Sequence, residues 1–137
     1  MRFVLDNSVV CGWLVAAQAT DYTHAIAHRL QHARAIAPAL LRLEYTNVLR
    51  RACLRGKLIA SQAQELLAKL EQLPIDIDEA TPGAGQLLAL TLRYELTTCD
   101  AAYLDLALRR QLPIATQDAA LAHAARRAGV GVVDAKD

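Results

Sequence analysis

Short apolar runs alternate with longer amphipathic segments along this whole chain, and that rhythm leaves few architectures open. Residues 2–5 contain Phe3, Val4 and Leu5 in succession, the pattern of a short buried strand. Similar short runs recur at 35–37, 75–78, 113–116 and 130–133. Between them lie stretches with helical spacing: 9–17, 21–33, 38–55, a helix from Ser61 ending before Leu73 and Pro74, then 82–94, 100–110 and 118–128. Strands separated by helices predict a parallel sheet covered on its faces, an α/β fold. The 137 residues suit one domain, 1–137, that buries its core without disulfides or structural metal. With 4% aromatic residues in a chain that is 54% hydrophobic, aliphatic side chains and alanine must fill that core.

Local signals set the expected boundaries. Pro38 suits the first turn of a helix, and Gly56 suits the stop that ends it. Ser61 with Glu65 lies close to a capping box, and Pro82 opens the next helix. Ile75 and Ile77 alternate with Asp76 and Asp78, which predicts a strand with one wet face. Cys11, Cys53 and Cys99 form no close pair, so the set suits a reducing cytosol, with all three expected as core or half-buried residues. No targeting segment precedes the first strand, and no run is long and apolar enough for a membrane span, so a cytoplasmic protein is expected.

Four acids stand out by position. Asp6 ends the first strand, and Asp118 lies two residues beyond Thr116, where another strand ends. In open α/β sheets ligands bind outside the carboxyl ends of strands, although aspartate at such places also caps helices. Glu44 lies on the apolar stripe of its helix with Leu40, Leu41, Val48 and Ala52. A carboxylate there costs several kcal/mol, of the order of a lost buried polar contact or more, unless it pairs, ligates or reaches the stripe's edge. Asp100 heads the stripe formed by Tyr103, Leu104, Ala107 and Leu108. Asp105 falls on another face and is expected to be solvated, paired with Arg109 at i,i+4. Two bare carboxylates about 4 Å apart repel by roughly 4 kcal/mol at an effective dielectric near 20. A convergence of four therefore calls for a cation, and all-oxygen donors select Mg²⁺ or Mn²⁺.

With a net charge of +1, no global field draws in nucleic acid. Twelve of the fifteen basic residues are arginine, which suits bidentate phosphate contact as well as it suits a coding bias. Arg42, Arg50, Arg51 and Arg55 cluster on or after the Glu44 helix and are the candidates for binding RNA; a solvated helix face would give the same pattern. Ser8 and Thr116 can hold carboxylate rotamers or make ordinary capping bonds. His24, His28 and His32 recur every four residues and are expected to be exposed or to face a partner; His123 is expected to be structural. Trp13 is expected in the core.

Four segments together resemble a known family. Val4-Leu5-Asp6-Asn7-Ser8 is similar to the opening motif of PIN domains, and Leu43-Glu44-Tyr45-Thr46-Asn47-Val48-Leu49 to their second acidic motif. Thr98-Cys99-Asp100-Ala101-Ala102-Tyr103-Leu104 resembles the third, and Pro113-Ile114-Ala115-Thr116-Gln117-Asp118 the fourth. Order and spacing match over essentially the whole chain, and its length is most similar to the VapC-type toxins. The resemblance implies a three-layer α/β/α PIN-like fold around a central parallel sheet. It implies an endoribonuclease dependent on Mg²⁺ or Mn²⁺, with Asp6, Glu44, Asp100 and Asp118 as catalytic and metal-holding residues. It also implies homodimerisation and pairing with a VapB-type antitoxin. The alternatives are a PIN-type nuclease of RNA maturation and a non-catalytic PIN-like interaction module. A phospho-receiver or phosphatase needs a lysine at a strand end, and none of the three lysines lies at one.

Overall fold

The computed structural model describes residues 1–135. Four strands, β1 (Arg2–Leu5), β2 (Arg34–Pro38), β3 (Ile75–Asp78) and β4 (Ile114–Ala115), pair in the order β3-β2-β1-β4, every pair parallel. The chain leaves β1 for β2 and β3 on one side and returns to β4 on the other. The order therefore reverses between β1 and β4, and their carboxyl ends flank the crevice where such sheets take ligands.

Side chains alternate across the pleat and split the core in two. Phe3 and Leu5 of β1, with Ala35 and Ala37 of β2, face α1 (Asn7–Leu14), α2 (Asp21–Arg29), α3 (Leu40–Leu54) and α4 (Ala60–Glu71). Val4, Ile36 and Ile114 face the opposite layer, α5 (Ala84–Tyr94), α6 (Thr98–Arg110) and α7 (Ala119–Arg127). This is the three-layer α/β/α arrangement that the sequence led us to expect. No helix among the described residues is long and apolar enough to cross a membrane.

Several boundaries differ from expectation for local reasons. Pro38 ends β2 instead of opening α3, because its carbonyl side still pairs with β3 and it needs no N–H there. Gly56, at φ +73°, does end α3 as expected. The α4 cap is Gln62, whose side chain accepts the Ile59 N–H at 3.0 Å, and Ser61 and Glu65 are not used. α5 begins at Ala84, beyond Pro82. The expected last strand shrinks to one bridge between Val132 and Ile114, since β4 offers only two residues to pair with.

Asp78 corrects the reading of β3 as wet on one face. Its side chain is 3% exposed and lies 3.3 Å from Arg109 and 3.1 Å from Arg110. Burial pushes its pKa up, but the Ala80 N–H and both guanidinium groups outweigh that, and the net shift is downward. Asp105 is likewise buried, not solvated, although it does pair with Arg109 at 2.8 Å. α6 buries more than one stripe because the segment between β3 and α5 lies over the Asp105 face. A carboxylate with a depressed pKa stabilises the fold above its unfolded value and loses that contribution as pH falls through the folded one. Asp78→Asn is therefore expected to cost about 2 kcal/mol at neutral pH, a value below that of a fully buried pair because the arginines are partly exposed. The difference from the parent should shrink below about pH 4 in urea melts run across pH.

Candidate active site

Asp6 continues the β1 ladder with its N–H on the Ala115 carbonyl at 3.0 Å, which sets its side chain at the β1–β4 crevice. It is 4% exposed and caps α1. Its Oδ2 accepts from Ser8 Oγ at 2.6 Å and from Thr116 Oγ1 at 2.7 Å. Each hydroxyl is itself oriented by a backbone donor: the Gln117 N–H meets Ser8 Oγ at 2.8 Å, and the Asp118 N–H meets Thr116 Oγ1 at 3.0 Å. With both hydroxyl protons directed at Oδ2, Oδ1 takes no hydrogen bond from the described residues and is left as a free acceptor. Burial raises the Asp6 pKa; the hydroxyls oppose that, and Asp118 adds repulsion.

Asp118 caps α7 through the Ala120 N–H at 3.1 Å, so capping and a place at the crevice coexist in one residue. Asp100 sits in the first turn of α6, whose cap Thr97 accepts the Asp100 N–H at 3.2 Å. Burial, the adjacent Asp118 carboxyl and the Asp6 charge together lift the Asp100 pKa to about 7. Glu44 reaches in from α3, half-buried at the edge of the Leu40 and Val48 stripe. Its Oε1 accepts from the Tyr103 hydroxyl at 2.6 Å, and burial and Asp6 raise its pKa. Tyr103 is wholly buried in the α6 layer, so this bond joins the two helical layers at the carboxyl edge of the sheet.

Asp6 thus stands within electrostatic reach of Glu44, Asp100 and Asp118, and Asp100 and Asp118 within reach of each other. Their all-oxygen donor set and mutual repulsion fit a hard divalent cation by charge and donor type. Among the described residues, no three His, Cys, Asp or Glu side chains form a ready-made ion-holding group.

Two contributors escaped the sequence reading. Tyr103 was visible as part of a stripe and of the third motif, but its bond to Glu44, 59 positions away, was not. Gln117 ties the site's rim together: its Oε1 accepts from Thr20 Oγ1 at 2.6 Å and its Nε2 donates to the Ser8 carbonyl at 3.1 Å. Its place between Thr116 and Asp118 was the available signal.

Of the candidate arginines, Arg51 and Arg55 line a cavity beside Glu44. Arg42 instead pairs with Glu79 at 2.9 Å, and Arg50 is exposed away from the cavity. His24, His28 and His32 are exposed, as expected, and so is His123; Cys99 is exposed too, against expectation, because it lies on the outer side of its helix. Trp13 is half-buried against the α1–α4 core, its indole N–H on the Thr23 carbonyl at 2.7 Å.

A PIN domain family model matches residues 3–127. Ribonuclease VapC1 of Mycobacterium tuberculosis is 39% identical over 90 residues, which cover 64% of this chain and 65% of that protein. The match therefore spans just under two thirds of the length of these curated relatives. Among solved structures, PAE2754 from Pyrobaculum aerophilum has a TM-score of 0.72 at 21% identity, covering 99% of this chain and 90% of that one. FitAcB from Neisseria gonorrhoeae has a TM-score of 0.59 at 17% identity, with 99% of both chains covered. At these identities the two structures speak for the fold alone.

Proposed function

The chain belongs to the PIN domain family, and from that premise we propose that it is a Mg²⁺- or Mn²⁺-dependent endoribonuclease, the toxin of a VapBC-type toxin–antitoxin pair. The observation that carries this reading is the set of four carboxylates at the β1–β4 crevice, with Asp100 lifted to about 7 by burial and by Asp118 and Asp6. The similarity to a ribonuclease of the VapC type supports it.

In this reading Asp6, Glu44, Asp100 and Asp118 hold the metal. When bound, the ion makes water a better nucleophile near neutral pH and offsets charge on the phosphoryl oxygens. Asp6 presents Oδ1 with its rotamer fixed by Ser8 and Thr116. Glu44, with Oε1 committed to Tyr103, keeps its second oxygen to orient water or accept its proton. The whole chain, 1–137, works as one unit in the cytoplasm, as a homodimer held by a VapB-type antitoxin until release. Exposed leucines on α5, Leu88 and Leu92, and Leu54 and Ile59 around the α3–α4 turn, offer apolar surface for those contacts.

Labelled structured RNAs incubated with the purified protein in Mg²⁺, Mn²⁺ or EDTA test the reading. Endonucleolytic fragments are expected with either ion and none in EDTA. Equal cutting in EDTA would remove the metal, and no cutting of any RNA by the folded, antitoxin-free protein would favour the non-catalytic module.

A further inference from the structure

The arginines elsewhere on this protein are largely occupied. Five of them sit on the carboxylates of Asp76, Asp78, Asp105 and Glu79. Arg51, Arg55 and Lys57 carry no ion pair among the described residues, and all three line one cavity with Glu44. That cavity has a volume of about 280 Å³, near the lower end (about 300 Å³) of small-ligand sites. Unpaired cations gathered at a concave surface raise the local concentration of anions even where net charge is close to zero.

The placement follows from helix periodicity. Glu44, Val48 and Arg51 lie at i, i+4 and i+7 on one face of α3, and Arg55, its C-cap, continues the row at i+11. At 1.5 Å per residue the row puts Arg51 about 10 Å and Arg55 about 16 Å along the axis from the acid. Arg50 is rotated off this face and Arg42 lies on the other side of Glu44, engaged by Glu79. Between the acid and the cations the wall is Val48 and Ala52, with Asn47 alongside. Apolar contact beside an amide suits an unstacked base, and guanidinium groups suit the phosphate that follows it.

We propose that this cavity between α1 and α3 is a subsite for single-stranded RNA that seats the nucleotide flanking the cleaved bond, with its phosphate on Arg51, Arg55 and Lys57. The proposal rests on the RNA reading above and narrows it: two of the four arginines flagged by the sequence belong to the subsite and two do not.

The test is binding of a fluorescein-labelled ten-nucleotide single-stranded RNA in Mg²⁺, read by anisotropy in an Asp118→Asn background so that the probe stays intact. Arg51→Ala with Arg55→Ala is expected to weaken binding at least tenfold. The same pair should lower the slope of log K against log salt by about 0.7, the loss of one phosphate contact on a single strand. Arg42→Ala with Arg50→Ala should stay within twofold of the background protein. All these side chains are exposed, and thermal melts confirm that each variant folds. Unchanged binding in the Arg51/Arg55 variant, or an equal loss in both pairs, would overturn the subsite. If the protein binds RNA with this pattern but never cuts it, the nuclease reading fails and the subsite stands; if it cuts RNA and the Arg51/Arg55 variant binds like the parent, the subsite alone fails.

Discussion

Asp6→Asn is expected to reduce RNA cleavage by about a thousand-fold, on the order of 4 kcal/mol of lost transition-state stabilisation, while leaving the fold intact. The side chain is buried, and the Ser8 and Thr116 hydroxyls both point at Oδ2. Asparagine can keep its carbonyl in that position, so the turn and the α1 cap survive. Its amide nitrogen then replaces the free Oδ1, exchanging an acceptor with negative charge for a neutral donor that repels a cation. Burial already raises the Asp6 pKa, so removing its charge should leave the melting temperature of the metal-free protein unchanged or higher. Cleavage rates and circular-dichroism melts of the same preparation separate the two effects. Activity within tenfold of the parent would reduce Asp6 to a helix cap.

The largest stability effect is expected at a residue with no functional group. Gly12 lies where α1 crosses α2, and a Cβ there would stand 2.3 Å from Thr23 Cγ2 and 2.7 Å from Thr23 Cβ. Thr23 cannot move aside cheaply. Its Oγ1 donates to the Thr20 carbonyl at 2.9 Å and accepts the Thr20 N–H at 3.0 Å, and its own carbonyl holds Trp13. Alanine would add about 1 kcal/mol of helix propensity, but the overlap forces the two helices apart. Gly12→Ala is expected to lose about 3 kcal/mol net, a fall in melting temperature of roughly 10 °C for a chain of this size. Activity should fall with it, because Thr20, the cap of α2, holds Gln117 on the site's rim. A melt equal to or above the parent's would show that propensity, not packing, governs this crossing.

Much of this architecture was legible because periodicity is local. The buried run at Phe3 to Leu5 and the strand end before Asp118 were sufficient to place two acids at strand ends, and the fold makes those strands neighbours. Glu44 was legible as a carboxylate on an apolar stripe, but its partner was not: Tyr103 comes from the opposite layer. Asp78 and Asp105 were misread for the same reason. An alternating Ile–Asp strand and an i,i+4 pair look solvated until the Arg109 and Arg110 end of α6 and the segment before α5 are folded over them. The arginines could not be sorted by sequence, since only the fold decides which meet an acid and which stay free beside Glu44.

The central claim is that Asp6, Glu44, Asp100 and Asp118 act together to hold a hard divalent cation. The most direct measurement is Mn²⁺ titration of the protein without RNA, followed by the electron paramagnetic resonance signal of the free ion, for the parent, Asp6→Asn, Asp100→Asn and Arg51→Ala. The account predicts saturable uptake by the parent, at least tenfold weaker uptake by each acid variant, and parent-like uptake by Arg51→Ala. Uptake that ignores both acid substitutions, or no uptake by the parent, would contradict it.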